Sequence, residues 1–95
     1  MLPLSAPSLK GNELKYVQEC LDTEWISSVG HYVDQFERDV ACYLGARYAI
    51  ACVNGTAALH ISLLLAGVNP DDEVIVPTIT FIAPVNAVKY IGAHP

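Results

Sequence analysis

Gly55 and Thr56, followed by Ala57, Ala58 and an apolar run, stand where a strand would hand over to a helix. A glycine there lets a ligand approach the backbone, and the amides that open a helix attract an anion through unpaired N–H groups and the helix dipole. The Thr56 hydroxyl adds a donor. That chemistry is phosphate binding without a lysine, and neither G-x-x-x-x-G-K-[ST] nor G-x-G-x-x-G occurs in the chain. The plainer alternative is a tight turn whose threonine caps the helix. A second position able to do chemistry is Phe81, which follows Pro77-Thr78-Ile79-Thr80 and so leaves the carboxyl end of the next strand, where ligands of α/β sheets bind. A ring there stacks on a planar group or is an ordinary core phenylalanine.

Other reactive side chains carry weaker patterns. Cys20, Cys42 and Cys52 are widely spaced with no C-x-x-C pair, so they read as reduced core thiols, neither a disulfide framework nor a zinc site. A reactive Cys52 has no evident histidine or asparagine partner. His60 falls one helical turn after Thr56, yet a lone helical histidine is more often a packed or surface residue, and His31 has no stronger claim.

These positions need elements to hold them. Leu14, Val17 and Leu21 form one stripe, which predicts a helix over about 12–24 with Asn12 as its N-cap. Trp25 to Tyr32, with Ser27, Ser28 and Gly30, has the composition of a loop. Phe36, Val40 and Tyr43 share a face of a second helix over about 33–44, closed by Gly45. Short apolar runs at about 47–53 and 73–77 read as buried strands, the latter closed by Pro77. The segment 56–66 is apolar almost all round, which predicts a helix packed on more than one side and ended by Gly67. A fourth helix, about 82–91, tolerates Pro84 only in its first turn and ends at Gly92; the closing Ala-His-Pro reads as stopping without a strand. This order is the grammar of an α/β sheet with right-handed crossovers.

The bulk numbers bound the function. Ninety-five residues, 53% hydrophobic and 16% charged, fall in the range of one soluble domain with a moderate core, and the apolar fraction is high for a small free-standing domain, so further chain or a partner is implied. A net charge of −5 without clustered Lys or Arg gives no footprint for nucleic acid. No apolar run approaches the roughly 20 residues that span a bilayer, and MLPLSAPSLKGNE lacks a basic start followed by an apolar stretch. The expected location is cytoplasmic.

The strings GNELKYVQECLDTEWISSVG, VDQFERDVACYLGARYAIACVNGTAALHISLLLAGV and DDEVIVPTITFIAPVNAVKYIGAHP together resemble the N-terminal part of the DegT/StrS sugar aminotransferases. The resemblance is closest to those making 4-amino-4,6-dideoxy sugars for bacillosamine or legionaminic acid, and it runs through nearly the whole chain. It implies an aspartate-aminotransferase-like α/β large domain (fold type I) of which residues 1–95 hold an incomplete sheet. It implies pyridoxal 5′-phosphate (PLP) as cofactor, its phosphate held by Gly55, Thr56 and Ala57 and its ring covered by Phe81. Trp25, Ser27 and Ser28 match the family's W-[IV]-S-[ST]-x-G element near the mouth of the active site. The bland reading of that element, a polar connection with one packed tryptophan, stays open. Asn86 matches a family asparagine whose role is a substrate contact or a helix-packing amide.

The resemblance also implies what stands elsewhere in such enzymes. The lysine that bonds the cofactor, the carboxylate facing the pyridine nitrogen and further phosphate ligands would all follow residue 95. Lys10, Lys15 and Lys89 match none of them. The segment alone is therefore expected to be inactive. For an intact protein the implied reaction moves an amino group, from glutamate, to the 4-keto carbon of a nucleotide-linked 6-deoxy sugar, in an active site built at a homodimer interface. The alternatives are a 3-keto sugar aminotransferase, a sugar dehydratase of the same family, and a short binding module without catalysis.

Overall fold

The computed structural model describes residues 5–95; the first four residues of the stretch read for a leader lie outside them. The chain divides into two compact units, Met1–Ala49 and Ile50–Pro95.

The first unit carries α1 (Glu13–Asp22) and α2 (His31–Leu44). Asn12 occupies the N-cap position of α1, but its side chain caps nothing. Instead the Gly11 amide donates to the Glu13 carboxylate at 2.9 Å. At the other end the Thr23 hydroxyl donates to the Glu19 carbonyl at 2.7 Å, and Glu24 turns to φ 60, so the helix stops short of residue 24. α2 starts two residues before the expected 33. Its N-cap Gly30 sits at φ 151, ψ 170, a region essentially closed to residues with a Cβ, and launches the helix at His31. Phe36 and Tyr43 on α2 are 58% and 89% exposed while Val40 is half-buried, so the apolar face read from the sequence is covered only in part.

The second unit is built on α3 (Gly55–Leu65) and α4 (Ile82–Tyr90), which pack together. Pro84 falls in the first turn of α4, where its missing N–H removes no helical hydrogen bond. Ala87 and Val88 of α4, with Ala93 just beyond it, are the buried hydrophobic residues among those described. α3 packs against α4 on one side while Leu65 stays 84% exposed, so the packing on several sides expected from its composition is not realised here.

The expected strands 47–53 and 73–77 are not present as ladders among the described residues. Tyr48, Ile50 and Val53 are all largely exposed, so the first run is not buried either. A strand exists only where a neighbouring backbone supplies its hydrogen bonds, and an apolar run without that neighbour stays irregular. What remains of a sheet is one parallel bridge, Glu73 to His94. There the Val74 amide donates to the His94 carbonyl and the His94 amide to the Asp72 carbonyl, both at 2.8 Å. The Ala-His-Pro tail thus pairs through His94 in a single isolated bridge and forms no strand of its own. Gly92 makes the turn into it at φ 85, a left-handed conformation, and a Cβ there would press on Pro70 at 3.4 Å. Val74 and Val76 are half-buried while Glu73 and Ile75 are exposed, the alternation of an extended segment lying on one layer.

Candidate functional site

The opening of α3 is set by Asn54. Its side-chain oxygen accepts the Ala57 amide at 2.9 Å, and the Ala58 amide reaches the Asn54 carbonyl at 3.1 Å. The cap is thus asparagine, and the threonine cap of the plainer sequence reading does not form. This arrangement uses the Ala57 amide, which the resemblance had assigned to phosphate. Among the described residues the amides of Gly55 and Thr56 take no partner. A Cβ added at Gly55 would meet no atom within 4 Å, so its backbone faces open space. Two free amides and a hydroxyl at the positive end of an 11-residue helix suit a dianionic phosphate, so these residues fit the phosphate end of the implied cofactor.

Beside this turn lies a hollow of about 320 Å³ lined by Asn54, Thr56, Ala57, His60 and Tyr90. His60 is half-buried, with its ring edge-on to that of Tyr90 at 5.7 Å. Helical side chains lean toward the N-terminus, which carries the imidazole back over the Thr56 turn. Phe81 does not line this hollow. It stands at the N-cap position of α4 in extended backbone and is 78% exposed, so in this segment it is no core residue. Asn86 is half-buried in α4, beside the buried Ala87, and makes no side-chain hydrogen bond among the described residues.

The first unit holds a separate cavity of about 480 Å³, lined by Trp25 and Ser27 together with Glu19, Cys20, Thr23, Val29, Gly30, His31, Tyr32 and Val33. Trp25 is 62% exposed, and its Cε3 would lie 3.4 Å from a Cβ placed on Gly30. Ser28 is exposed and lies outside the cavity wall. Tyr32 packs edge-on against Tyr16 at 5.2 Å and against His31 at 5.2 Å. A hydrogen bond to the Glu19 carboxylate pushes the Tyr32 phenol up to about 12, because ionisation would break the bond and set two negative charges together. The sequence reading missed Asn54, Tyr90, Glu19 and Tyr32. The aspartic or asparagine residue just before a helix was the available signal for the first, and the others are placed by contacts that no local spacing encodes.

No helix among the described residues is long and apolar enough to cross a membrane. Residues 7–95 match the family model described as the DegT/DnrJ/EryC1/StrS aminotransferase family. A GDP-perosamine synthase of Caulobacter vibrioides is 54% identical over 94 residues, which cover 99% of this chain and 25% of that protein. The crystal structure of NtdA from Bacillus subtilis with bound cofactor PMP is 44% identical, with a TM-score of 0.77 over 86% of this chain and 19% of the other. A GDP-4-keto-6-deoxymannose-3-dehydratase with a trapped PLP-glutamate geminal diamine is 25% identical, also at TM-score 0.77, over 96% of this chain and 25% of that one. The chain spans about a quarter of the length of the curated relatives it matches. A match through 89 of its 95 residues, joined to this likeness of fold, makes the chain a member of the DegT/DnrJ/EryC1/StrS aminotransferase family.

Proposed function

We propose that this chain is the N-terminal part of the cofactor-binding large domain of a PLP-dependent enzyme. In the intact protein that enzyme transfers an amino group from glutamate to the 4-keto carbon of a nucleotide-linked 6-deoxy sugar. The observation that carries the reading is the start of α3, where the Asn54 cap leaves the Gly55 and Thr56 amides and the Thr56 hydroxyl for an anion. The names of the similar proteins favour a GDP-linked 4-keto-6-deoxy hexose as substrate. PLP supplies the electron sink, while the protein holds and orients it.

Gly55 and Thr56 take the phosphate, and Phe81 covers the ring once the rest of the protein brings it to the cofactor. Trp25, Ser27 and Ser28 form a substrate-facing loop, with Asn86 as a further substrate contact. The intact enzyme is a homodimer; a fully active monomer in light scattering would contradict that. The 95 residues alone carry no transamination, because Lys10, Lys15 and Lys89 do not occupy the position of the family's cofactor-bonding lysine and the proton transfers at the amino carbon then lack a base.

The deciding experiment incubates the intact protein with PLP, glutamate and a GDP-linked 4-keto-6-deoxy hexose. Formation of 2-oxoglutarate in step with an amino sugar supports the reading. Loss of water from C3 without retained nitrogen would identify a dehydratase, the second reading that the dehydratase-like neighbour favours. Absence of bound cofactor would overturn both.

A further inference from the structure

His60 stands one turn beyond Thr56 on α3 and lines the 320 Å³ hollow together with Asn54, Thr56, Ala57 and Tyr90. It is half-buried, and among the described residues neither of its ring nitrogens makes a hydrogen bond. What holds the ring is Tyr90 of α4, edge-on at 5.7 Å. An imidazole carries at least one N–H donor in either charge state, and a second when protonated. The hollow thus brings an unspent donor beside a turn whose Gly55 and Thr56 amides are also unspent. No carboxylate and no other basic side chain lines it. α3 has no titratable group besides His60, and α4, which packs against it, has Lys89 and Tyr90, of which only Tyr90 faces the hollow.

We infer that His60 is a further contact of the cofactor phosphate, its imidazole donating from the wall of the hollow to the group that the Gly55–Thr56 turn takes. The inference rests on the proposed phosphate role of that turn. Three physical points lead to it. Amides and a hydroxyl donate hydrogen bonds but bring no full charge, so a dianion held by them alone keeps most of its charge unanswered within this segment. His60 is the one lining side chain able to become a cation. An imidazole gains its proton between about pH 5 and 8, so the charge it brings to a phosphate is present at low pH and fades as pH rises. Packing against Tyr90 accounts for less: Tyr90 is itself 62% exposed, and the contact leaves both ring nitrogens without partners.

The test is made on the intact protein, stripped of cofactor and titrated with PLP or with pyridoxal, which has no phosphate, by the absorbance of the bound cofactor. His60→Leu should weaken PLP about tenfold to hundredfold at pH 6 and less than about fivefold at pH 8.5, and leave pyridoxal within about twofold of the parent. His60→Gln keeps a neutral donor and most of the packing volume. It should lose less PLP affinity than His60→Leu, and its shortfall against the parent should likewise grow as pH falls. Equal losses for PLP and pyridoxal, a loss of PLP that is the same at both pH values, or no loss in either variant would overturn the inference and leave His60 a packing residue. If Thr56→Val weakens PLP but the His60 variants do not, the phosphate reading of the turn stands and the His60 contact fails. If Thr56→Val also leaves PLP unchanged, the reading of the turn itself has failed, and the inference with it.

Discussion

Asn54 and Thr56, two positions apart, meet the first turn of α3 in different ways, and substitution should separate them. Asn54 spends its side chain on the Ala57 amide, so Asn54→Ala should cost about 1 kcal/mol of stability in urea denaturation of the intact protein. Thr56 takes no part in that cap. Thr56→Val should therefore leave denaturation nearly unchanged but weaken cofactor binding about tenfold to hundredfold, the loss of one charge-assisted hydrogen bond worth about 1.5–3 kcal/mol. Equal cofactor titrations for parent and Thr56→Val would leave Thr56 without a ligand. Tyr32 gives a second test at this scale. Its phenol is raised from 10.0 to about 12, so the proton it keeps stabilises the folded state fully below pH 10 and that contribution fades as pH rises through about 12. Ultraviolet titration of the intact protein should show one tyrosinate forming late and missing in Tyr32→Phe; a Tyr32 that ionises near pH 10 would mean the bond to Glu19 is absent in solution.

At the level of elements, what the sequence made readable was whatever is decided locally. Gly45 and Gly92 lie just past the ends of α2 and α4 because a left-handed residue lets the following amide reach back into the last turn, as Ala46 does to the Ala41 carbonyl at 2.9 Å. The Gly-Thr opening of α3 was readable for the same reason. The apolar runs at 47–53 and 73–77 were not, because strand formation is a property of a pair, and only the second run finds even one partner, at His94. Nor could the sequence reading foresee that the tail at His94 would be that partner. Phe81, expected at the carboxyl end of a strand, stands at the N-cap position of α4 with no strand ladder before it, and the hollow with His60 and Tyr90 was beyond any local pattern. The paired amides offer a direct check. In hydrogen exchange of the intact protein, Val74 and His94 should exchange slowly together, since each donates at 2.8 Å across the same bridge. Fast exchange at either would show that the bridge does not belong to the protein's sheet.

For the whole molecule the decisive feature is how little is covered. Three small residues, Ala87, Val88 and Ala93, are the buried hydrophobic ones among those described, while Ile75, Ile79, Val53 and Tyr43 stand almost fully in water. Folding stability is a small difference between large terms, so a chain that leaves this much apolar surface and most of its strand edges unpaired has little to set against its conformational entropy. The 95 residues expressed alone should stay molten, self-associate or aggregate. Cooperative exchange protection across 47–53 and 73–77 in a proven monomer would refute this and favour a self-sufficient binding module.

The bridge between Glu73 and His94 also imposes a chronology. Its two partners are separated by a turn, all of α4 and another turn, so a growing chain gains the hydrogen bonds of this bridge only after α4 has been synthesised. Until then α4 has α3 as its one neighbour in this unit, and its apolar face is open to proteases and chaperones. Nascent chains stalled so that only residues up to Tyr90 have left the ribosome should be cut readily within α4, and those exposed past Pro95 more slowly. Equal cleavage of the two would mean that the parallel pair forms late, when the rest of the sheet assembles around it.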